Sequence, residues 1–401
     1  MVMDGIRMRK VAVVVGTRPD AIKMALVIRR LREHRDRIDT TVVATAQHRE
    51  MLDQVLNVFG ITPDVDLDLM QAGQELGGLT ARLLVGLESL WQRTAPDLVL
   101  VQGDTTSSFA ASLAAYYCRI PVGHVEAGLR SHQPYAPFPE EMNRKLIDAL
   151  AAHCFAPTEQ ARAHLLAEGI APERIDVTGN TGVDALLFTL QEIARSGFVP
   201  EQFGPAALQD APMLLVTAHR RESFGGGVER ICAALKAIGE ARPDVAIICP
   251  VHPNPHIYEP LTRLLGGIHN IYLTGPLDYR SFVYAASRAR LVLTDSGGIQ
   301  EEVPSLGKHV LVMRDVTERI EAVQAGIAEL VGTETSRIVA RTLALLEEPA
   351  NGRTGANPFG DGKASERIVQ RILKDATGAE SGRDPQAGAS DHESTRVNWG
   401  G

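Results

Sequence analysis

Acidic residues follow the apolar runs of this sequence, where they could act as general acids or bases. Asp104 follows DLVLV, Glu126 follows IPVGHV, and Glu140 with Glu141 opens a helical segment in PFPEEMNR. Neighbouring parallel strands lie about 4.8 Å apart, so carboxylates at adjacent strand ends can share one cleft. Crowded carboxylates repel, which raises some of their pKa values toward neutrality, as acid–base catalysis requires.

A structural role is the alternative for these carboxylates. Ion pairs with Arg130 or Arg144 would also account for their positions. One of Glu140 and Glu141 could serve only to complement the positive end of its helix.

Two segments could bind the phosphates of a ligand. In GTRPDAIK, residues 16–23, a Gly turn leads into a helix whose exposed amides attract anions, and Arg18 and Lys23 add positive charge. An ordinary strand-to-helix turn with solvated cations is the alternative interpretation.

The second phosphate-binding segment is LVLTDSGGIQEE, residues 291–302. Ser296, Gly297 and Gly298 offer a hydroxyl and several amides to a phosphate, and Glu302 could accept hydrogen bonds from a ribose diol. A capping turn with a surface Glu is the alternative. No GxGxxG motif follows the first strand, which argues against a nicotinamide cofactor, and we expect no cofactor.

Histidines beside cations follow two strands of the second half. His219, Arg220 and Arg221 lie in VTAHRRES, and His252 lies in VHPNP. A His can donate a proton to a leaving phosphate oxygen, and the planar fork of Arg suits a diphosphate. A lone His at a strand end is usually structural, and His252 has the weaker support.

Metal chemistry is not expected. Asp64, Asp66 and Asp68 alternate and resemble a metal-binding DxD pattern, but a solvated strand face is the better interpretation. The sequence also contains no GxSxG, HExxH or Walker A pattern.

Composition narrows the classes of protein further. With 41 Lys and Arg against 49 Asp and Glu, the formal charge of −8 does not favour nucleic acid as a partner. The four cysteines show no CxxC spacing, which favours reduced thiols and a cytoplasmic location. The first apolar run, VAVVV, is too short for a signal peptide or a membrane span, so we expect no membrane association.

The elements that position these residues form a repeated pattern. Apolar runs recur as VAVVV, TTVVA, DLVLV, IPVGHV, MLLVT, VAIIC, IYLTG, LVLTD and HVLVM, and segments of helical period separate them. Continuous apolar runs predict strands covered on both faces, hence a doubly wound α/β fold with two sheets facing across a cleft. Ligands of such sheets bind beyond the carboxyl ends of the strands.

The strand series breaks once, between about residues 184 and 212, where Gly and Pro interrupt any clean period. We therefore predict an N-terminal Rossmann-like domain over residues 1–186 and a C-terminal Rossmann-like domain over 187–362. A helix over 363–377 and a polar, disordered tail over 378–401 follow.

Twelve ordered blocks between Gly16 and about Val369 resemble the non-hydrolysing UDP-N-acetylglucosamine 2-epimerase family. They include GTRPDAIKMA, TAQHREMLDQVL, VQGDTTS, HVEAGLRS, PFPEEMNR, VTGNTGVD, TAHRRESFG and LTDSGGIQEEVPSLGK. The resemblance implies a glycosyltransferase-B-like fold, usually a homodimer, whose last helix returns to the first domain. It also implies interconversion of UDP-GlcNAc and UDP-ManNAc through elimination and re-addition of UDP.

The resemblance assigns roles to individual positions. It makes Asp104, Glu126 and Glu140 the acid–base carboxylates and His219 the group that assists departure of UDP. The implied nucleotide contacts are Arg18, Lys23, Leu277, Phe282, Ser296, Gly297, Gly298, Glu302 and Arg319. Many bacterial members bind a second UDP-GlcNAc as an activator, and the matching positions are Gln47, His48, Gln71, Arg220 and His252.

Four positions depart from the usual family pattern, namely Glu50, Asp20, Ser223 and Ile320. Glu50 stands at a position where the family often has Gln, close to the matching activator positions Gln47 and His48. The alternatives are a hydrolysing relative that releases ManNAc and UDP, an epimerase of UDP-diacetamido uronic acids, a glycosyltransferase, and a sugar-nucleotide sensor.

Overall fold

The structure is a computed structural model of the 401-residue chain. It describes residues 7–45, 49–69, 75–201, 211–218, 226–251, 254–348 and 356–378. Among these residues, no helix combines the length and the hydrophobicity needed to cross a membrane.

Two parallel sheets organise the described residues. The first has the order β3-β2-β1-β4-β5-β6-β7 and the second the order β10-β9-β8-β11-β12-β13. The strands of the first sheet are β1 (Arg9–Val15), β2 (Ile38–Ala44), β3 (Val65–Asp66), β4 (Leu98–Gln102), β5 (Val122–Val125), β6 (His153–Ala156) and β7 (Ile175–Val177). Those of the second are β8 (Met213–Thr217), β9 (Ala246–Pro250), β10 (Ile271–Thr274), β11 (Ala289–Thr294), β12 (His309–Val312) and β13 (Ala328–Leu330).

Helices connect the strands and cover the sheets. In the first half they are α1 (Arg18–Glu33), α2 (Arg49–Val58), α3 (Leu76–Thr94), α4 (Thr106–Tyr117), α5 (Glu140–Leu150), α6 (Glu159–Ala167) and α7 (Thr181–Ser196). In the second half they are α8 (Gly226–Ala241), α9 (Pro255–Leu265), α10 (Tyr279–Arg288), α11 (Gly297–Glu302), α12 (Ile320–Gln324), α13 (Thr335–Glu347) and α14 (Ala364–Gly378).

The fold class predicted from continuous apolar runs is confirmed. In β1, Val11, Val13 and Val15 pack into one hydrophobic cluster, while Ala12 and Val14 pack into another. Both faces of the strand are therefore covered, as in other parallel sheets flanked by helices. In each sheet the strand order reverses beside the first strand, between β1 and β4 and between β8 and β11. Ligands of doubly wound sheets bind at such reversal points.

Two helices connect the halves of the molecule. Helix α7 packs against α1 and also against α10 and α11, and α14 packs against α1 and α7. Asp184 on α7 accepts hydrogen bonds from the backbone N–H groups of Ala364 and Ser365, so it caps the start of α14. The predicted boundary after residue 186 lies within α7, and the tail after residue 378 lies outside the described residues.

Candidate active site

A cavity of about 430 Å³ lies between the carboxyl ends of the two sheets. Its walls include α1 from the first half and the segments that follow β8, β9, β10 and β11 in the second half. Most of the predicted nucleotide contacts line it, namely Arg18, Lys23, Leu277, Phe282, Ser296, Gly298 and Glu302.

The turn between β1 and α1 sets the start of the helix that carries Arg18 and Lys23. Thr17 caps α1 by accepting from the N–H of Asp20, whose carboxylate accepts from the N–H groups of Gly16 and Thr17. Arg18 then extends across the cavity and donates to the carbonyl of Leu277 at 3.0 Å. This hydrogen bond joins the two halves of the molecule at the cavity.

This geometry corrects one expectation. We expected the amides of this turn to attract an anion, but those of Gly16 and Thr17 donate to the carboxylate of Asp20. Burial raises the pKa of Asp20 to about 6, against the opposing effect of these hydrogen bonds. The positive side chains of Arg18 and Lys23 therefore remain as the features of this segment that can attract a phosphate.

The segment after β11 brings glycine backbone against a cation. A Cβ added to Gly297 would lie 2.8 Å from Cζ of Arg319, so the guanidinium occupies the place of a side chain. Ser296 precedes α11, and its hydroxyl makes no capping hydrogen bond to that helix. A side chain at position 297 would therefore have to displace the guanidinium of Arg319.

Four charged side chains form a buried group that we call the charge cluster: Lys23, Glu126, Glu301 and Arg319. Lys23 pairs with Glu126 and lies 3.8 Å from Glu301, which accepts from Nε of Arg319 at 2.7 Å. The side chain of Glu301 is 1% exposed and that of Glu126 10%. Asn180, at the start of α7, donates to the other oxygen of Glu301 at 2.6 Å. The cluster thus links both halves of the molecule.

Burial and mutual charge set the pKa values in this region. Burial raises the pKa of Glu126, and the positive charge of Lys23 opposes that rise. Burial also raises the pKa of Glu302 to about 7. Burial tends to raise the pKa of Glu301 too, but Arg319 and Lys23 hold it below its ordinary value. The pKa of Glu302 therefore lies near neutrality, in the range where general acids and bases work, and the pKa of Glu126 is shifted in the same direction.

Glu126 has an unusual backbone conformation. It follows the last residue of β5 with φ of 72°, in the left-handed region that is costly for a residue with a Cβ. The N–H groups of Glu126 and Ala127 both donate to the carbonyl of Phe155 on β6, which holds the turn. Strain of this kind is often found at functional sites.

Asp104 and Glu126 lie at the same edge of the first sheet. The register of β4 and β5 pairs Gln102 with Val125, so both carboxylates follow the same rung of the ladder. Asp104 forms an ion pair with Arg144 at 2.6 Å, which is one of the ion pairs that the sequence left as an alternative. Arg144 lies one helical turn after Glu140, so α5 contacts this edge through its first turns.

The structure distinguishes the two adjacent glutamates of α5. Glu141 is 1% exposed and accepts from the N–H groups of Ser131 and His132, so it fixes the preceding loop. Glu140, the first residue of the helix, is only partly buried. Of the two, Glu141 therefore has a structural role, although it binds the amides of the preceding loop, whereas the sequence suggested only a complement to the positive end of the helix.

Several predicted residues lie outside the described residues: His219, Gln47, His48, Gln71, Arg220 and His252. The described residues that precede two of them do line the cavity, Ala218 before His219 and Val251 before His252. Asp64, Asp66 and Asp68 are exposed, in agreement with a solvated strand face. The part of the chain that the structure describes contains no group of side chains suited to a metal ion.

The sequence analysis missed two members of this site, Glu301 and Asn180. Glu301 stands beside Glu302 in QEE, and residue types alone do not say which of the two is buried against cations. Asn180 lies in VTGNTGVD, where its side chain accepts from the N–H of Gly182 as a helix cap. The capping pattern is visible in the sequence, but the bond to Glu301 requires the tertiary structure.

Comparison with known proteins identifies the family. Residues 29–373 match the family model described as UDP-N-acetylglucosamine 2-epimerase. The chain belongs to this epimerase family. It is 51% identical to the UDP-N-acetylglucosamine 2-epimerase of Salmonella typhimurium over 369 residues, which cover 90% of this chain and 98% of that relative.

Solved structures of other epimerases share the fold. A crystal structure of UDP-GlcNAc 2-epimerase from Neisseria meningitidis bound to UDP-GlcNAc matches with a TM-score of 0.86 at 46% identity, covering 91% of this chain and all of that one. One from Methanocaldococcus jannaschii in complex with UDP-GlcNAc and UDP matches with a TM-score of 0.78 at 34% identity, covering 91% and 99%. The family resemblance and the two-domain α/β fold predicted from the sequence are thus confirmed.

A more distant match concerns the fold alone. The glycosyltransferase of kitacinnamycin is 13% identical and has a TM-score of 0.58, covering 94% of this chain and 99% of that one. The epimerase fold therefore resembles that of a glycosyltransferase, as the sequence blocks implied, and this likeness carries no inference about activity.

Proposed function

We propose that this chain interconverts UDP-GlcNAc and UDP-ManNAc by reversible epimerisation at C2. The observation that carries the proposal is the charge cluster. In it Lys23 pairs with Glu126, a buried carboxylate at a strand end, and Arg319 pairs with Glu301 beside them. The relatives named as UDP-N-acetylglucosamine 2-epimerases at about half identity support the choice of substrate.

The chemistry needs only proton transfers and the departure and return of UDP. A carboxylate removes the C2 proton while the bond from C1 to the diphosphate oxygen breaks, which leaves 2-acetamidoglucal and UDP. Protonation of C2 from the opposite face and return of the UDP oxygen to C1 give the epimer. The C2 hydrogen is weakly acidic, so cations must stabilise the departing diphosphate at the same time.

The carboxylates and the histidine have separate proposed roles, which follow the family resemblance. Asp104, Glu126 and Glu140 would exchange protons with C2, and His219 would assist the departure of UDP. Lys23 already pairs with Glu126, and a bound diphosphate would compete for this cation. Loss of its positive partner raises the pKa of a carboxylate, so binding of the nucleotide would make Glu126 a stronger base.

The nucleotide would occupy the cavity between the sheets. Leu277 and Phe282 line the cavity where it meets α10 and suit the uracil, and Arg18, which donates to the carbonyl of Leu277, would contact the nucleotide beside them. Ser296, Gly297, Gly298 and Arg319 would bind the diphosphate, and Glu302 the ribose. A second UDP-GlcNAc would bind as an activator at the positions that the family resemblance indicates, namely Gln47, His48, Gln71, Arg220 and His252.

Proton NMR in deuterated water tests the reaction. Incubation with UDP-GlcNAc should give both sugar nucleotides with deuterium at C2 and only a trace of free UDP. Product without deuterium at C2 would refute the mechanism. Stoichiometric, irreversible release of UDP would instead identify a hydrolysing enzyme, and tight binding without exchange would identify a sensor.

Amide variants test the carboxylates in the same assay. Asp104→Asn, Glu126→Gln and Glu140→Gln should each lower turnover on the order of 100-fold or more, because each removes a proton donor or acceptor. Affinity for UDP should change far less. Asp66→Asn, at an exposed carboxylate on β3, is the matched control and should retain full turnover.

We also propose that the chain acts as a cytoplasmic homodimer. Large exposed hydrophobic side chains occur on the neighbouring helices α3, α4 and α5: Leu76, Val85, Tyr116, Tyr117, Met142 and Leu146. Such a concentration is typical of a protein–protein interface. The four cysteines are free thiols, which is typical of proteins from reducing compartments.

A further inference from the structure

A buried histidine lies close to the edge of the first sheet where Asp104 and Glu126 follow their strands, which we call the carboxylate edge. His124, on β5, has no exposed surface. Its Nδ1 lies 2.6 Å from Oδ1 of Asp148, and its Nε2 lies 2.8 Å from the carbonyl oxygen of Gly103. Both ring nitrogens therefore contact oxygen acceptors, one from α5 and one from the turn after β4.

Asp148 extends this contact to a third segment. Its second carboxylate oxygen accepts from the N–H of Gly128 at 3.3 Å and from Nη2 of Arg130 at 2.7 Å. Arg130 in turn pairs with Glu168. One buried carboxylate on α5 is thus bound both to His124 and to the loop that follows β5.

Each of the three connected segments carries one of the proposed acid–base carboxylates. Gly103 immediately precedes Asp104, and Gly128 lies two residues after Glu126. Asp148 belongs to the helix that begins at Glu140. The His124–Asp148 pair therefore connects the backbones on which all three groups stand.

The donor and acceptor groups of Gly103, His124 and Asp148 explain why a histidine suits this position. The carbonyl of Gly103 only accepts, so Nε2 of His124 must donate to it. A second proton must then lie between Nδ1 and Asp148, since two lone pairs at 2.6 Å would repel. An imidazole with both nitrogens engaged can hold the turn and the helix at a fixed separation.

We propose that His124 is a positioning residue for the epimerisation, setting the relative placement of Asp104, Glu126 and Glu140 through Gly103 and Asp148. The inference rests on the proposed function. His124 does not contact the substrate. It fixes the separation of groups that must act on opposite faces of one carbon, and displacement by about 1 Å can cost on the order of 100-fold in rate.

Two variants separate the two contacts of His124. In His124→Asn the amide nitrogen reaches the place of Nδ1, so the contact to Asp148 is kept and the bond to Gly103 is lost. We expect kcat to fall on the order of 100-fold, with KM and UDP affinity within about twofold. In His124→Gln the amide reaches the place of Nε2 and restores the bond to Gly103, so kcat should recover to within about tenfold of the wild type.

His153→Asn is the matched control. His153 stands on the neighbouring strand β6, at its amino end, and its Nε2 lies 3.1 Å from Asp375. This variant breaks a His–Asp contact of the same sheet away from the carboxylate edge. Its kcat should stay within about twofold of the wild type.

The outcomes separate this inference from the proposed function. Absence of C2 exchange in the wild-type protein would refute the proposed function, and the positioning role with it. Exchange in the wild type together with unchanged kcat in His124→Asn would refute the positioning role alone. Failure of both His124 variants to fold, or parallel loss of UDP affinity and kcat, would show that His124 only supports the core and would also overturn the inference.

Discussion

At the scale of single residues, the site combines opposite charges that are buried together. Lys23 and Arg319 are balanced by Glu126 and Glu301 within the cleft. A buried charge is tolerated only when it is paired, so each member of the cluster depends on the others. A diphosphate adds negative charge to this group, which links its stability to the binding of the ligand.

The variant Glu301→Gln tests the link between the stability of the charge cluster and the binding of UDP. The change removes one negative charge and leaves Lys23 and Arg319 undercompensated, so the unfolding free energy without ligand should fall by about 3 kcal/mol. The added negative charge of UDP should offset this loss, so UDP should raise the melting temperature more in the variant than in the wild type. Calorimetry with and without UDP measures both effects.

Glu318→Gln is the control for this experiment. Glu318 also pairs with Arg319, but its side chain is 21% exposed against 1% for Glu301. Its substitution should therefore have a smaller effect on stability and on the response to UDP. Equal responses in the wild type, Glu301→Gln and Glu318→Gln would contradict the coupling.

Glu302 should make stability depend on pH. Its pKa is about 7 in the folded chain against an ordinary value of 4.5, so the folded form binds the proton more tightly. The stabilisation that comes from this tighter proton binding is complete below pH 4.5. It is lost as the pH rises toward 7, by about 1.4 kcal/mol per pH unit. The unfolding free energy of the wild type, minus that of Glu302→Gln, should therefore decrease from pH 5 to pH 8. Denaturant unfolding without nucleotide measures this difference.

Glu329 provides a control of opposite sign. Its hydrogen bonds with Arg341 lower its pKa below 4.5, so its contribution is lost only as the pH falls below that value. The difference between wild type and Glu329→Gln should stay constant from pH 5 to pH 8. A constant difference for Glu302→Gln over the same range would refute a raised pKa.

At the scale of helices and strands, the candidate functional residues lie at or near the ends of the elements, and the interiors of the elements form the hydrophobic core. The apolar stripe of α1, with Met24, Val27, Ile28 and Leu31, is buried as its spacing predicts. Four short strands, β3, β6, β7 and β13, were not predicted from apolar runs. Strands β3, β7 and β13 span two or three residues, too few for a pattern to distinguish from loops, and β6 (HCFA) contains no run of four apolar residues.

Helix α14 offers a test at this scale. Asp184→Ala removes the acceptor for the N–H groups of Ala364 and Ser365 and for the hydroxyl of Ser365. Loss of such a cap costs about 1–2 kcal/mol, so hydrogen exchange should become faster across residues 364–378. Asp361→Ala, which breaks an exposed pair with Arg367, should leave exchange nearly unchanged. Equal protection in both variants would refute the anchoring role of Asp184.

At the scale of the whole molecule, polar side-chain contacts join the two halves around the cavity, in addition to the packing of α7 against α10 and α11. Arg18 with Leu277, Asn180 with Glu301, and Thr158 with Glu321 cross between the halves. The first two lie at the cavity or the charge cluster, so a ligand that engages these residues also acts on the contact between the halves.

The homodimer is tested by charges on the exposed helices. Val85→Lys and Tyr117→Lys place a charge at side chains that are 68% and 57% exposed, so dimerisation should weaken while UDP binding persists. Light scattering after size exclusion should report a dimer for the wild type and a monomer for these variants. Val199→Lys, at an equally exposed apolar residue outside α3–α5, is the control. A monomeric wild type would refute the proposal.

The sequence by itself determined the fold class, the family and the set of candidate residues. Continuous apolar runs require two covered faces, and the side chains that can act chemically must follow them at strand ends. These properties depend on residue type and local order, which the chain carries directly.

Only the tertiary structure decided which candidates are paired and which are structural. It paired Asp104 with Arg144, assigned Glu141 to the loop, directed the amides of the first turn to Asp20, and placed Glu301 between two cations. The reason is physical: burial and partner distance set the charge of each group. Burial depends on the packing of the whole chain, and partners such as Asp104 with Arg144 and Lys23 with Glu301 lie far apart in sequence, beyond what local patterns encode. The contact of Asp20 with Gly16 and Thr17 is local by comparison.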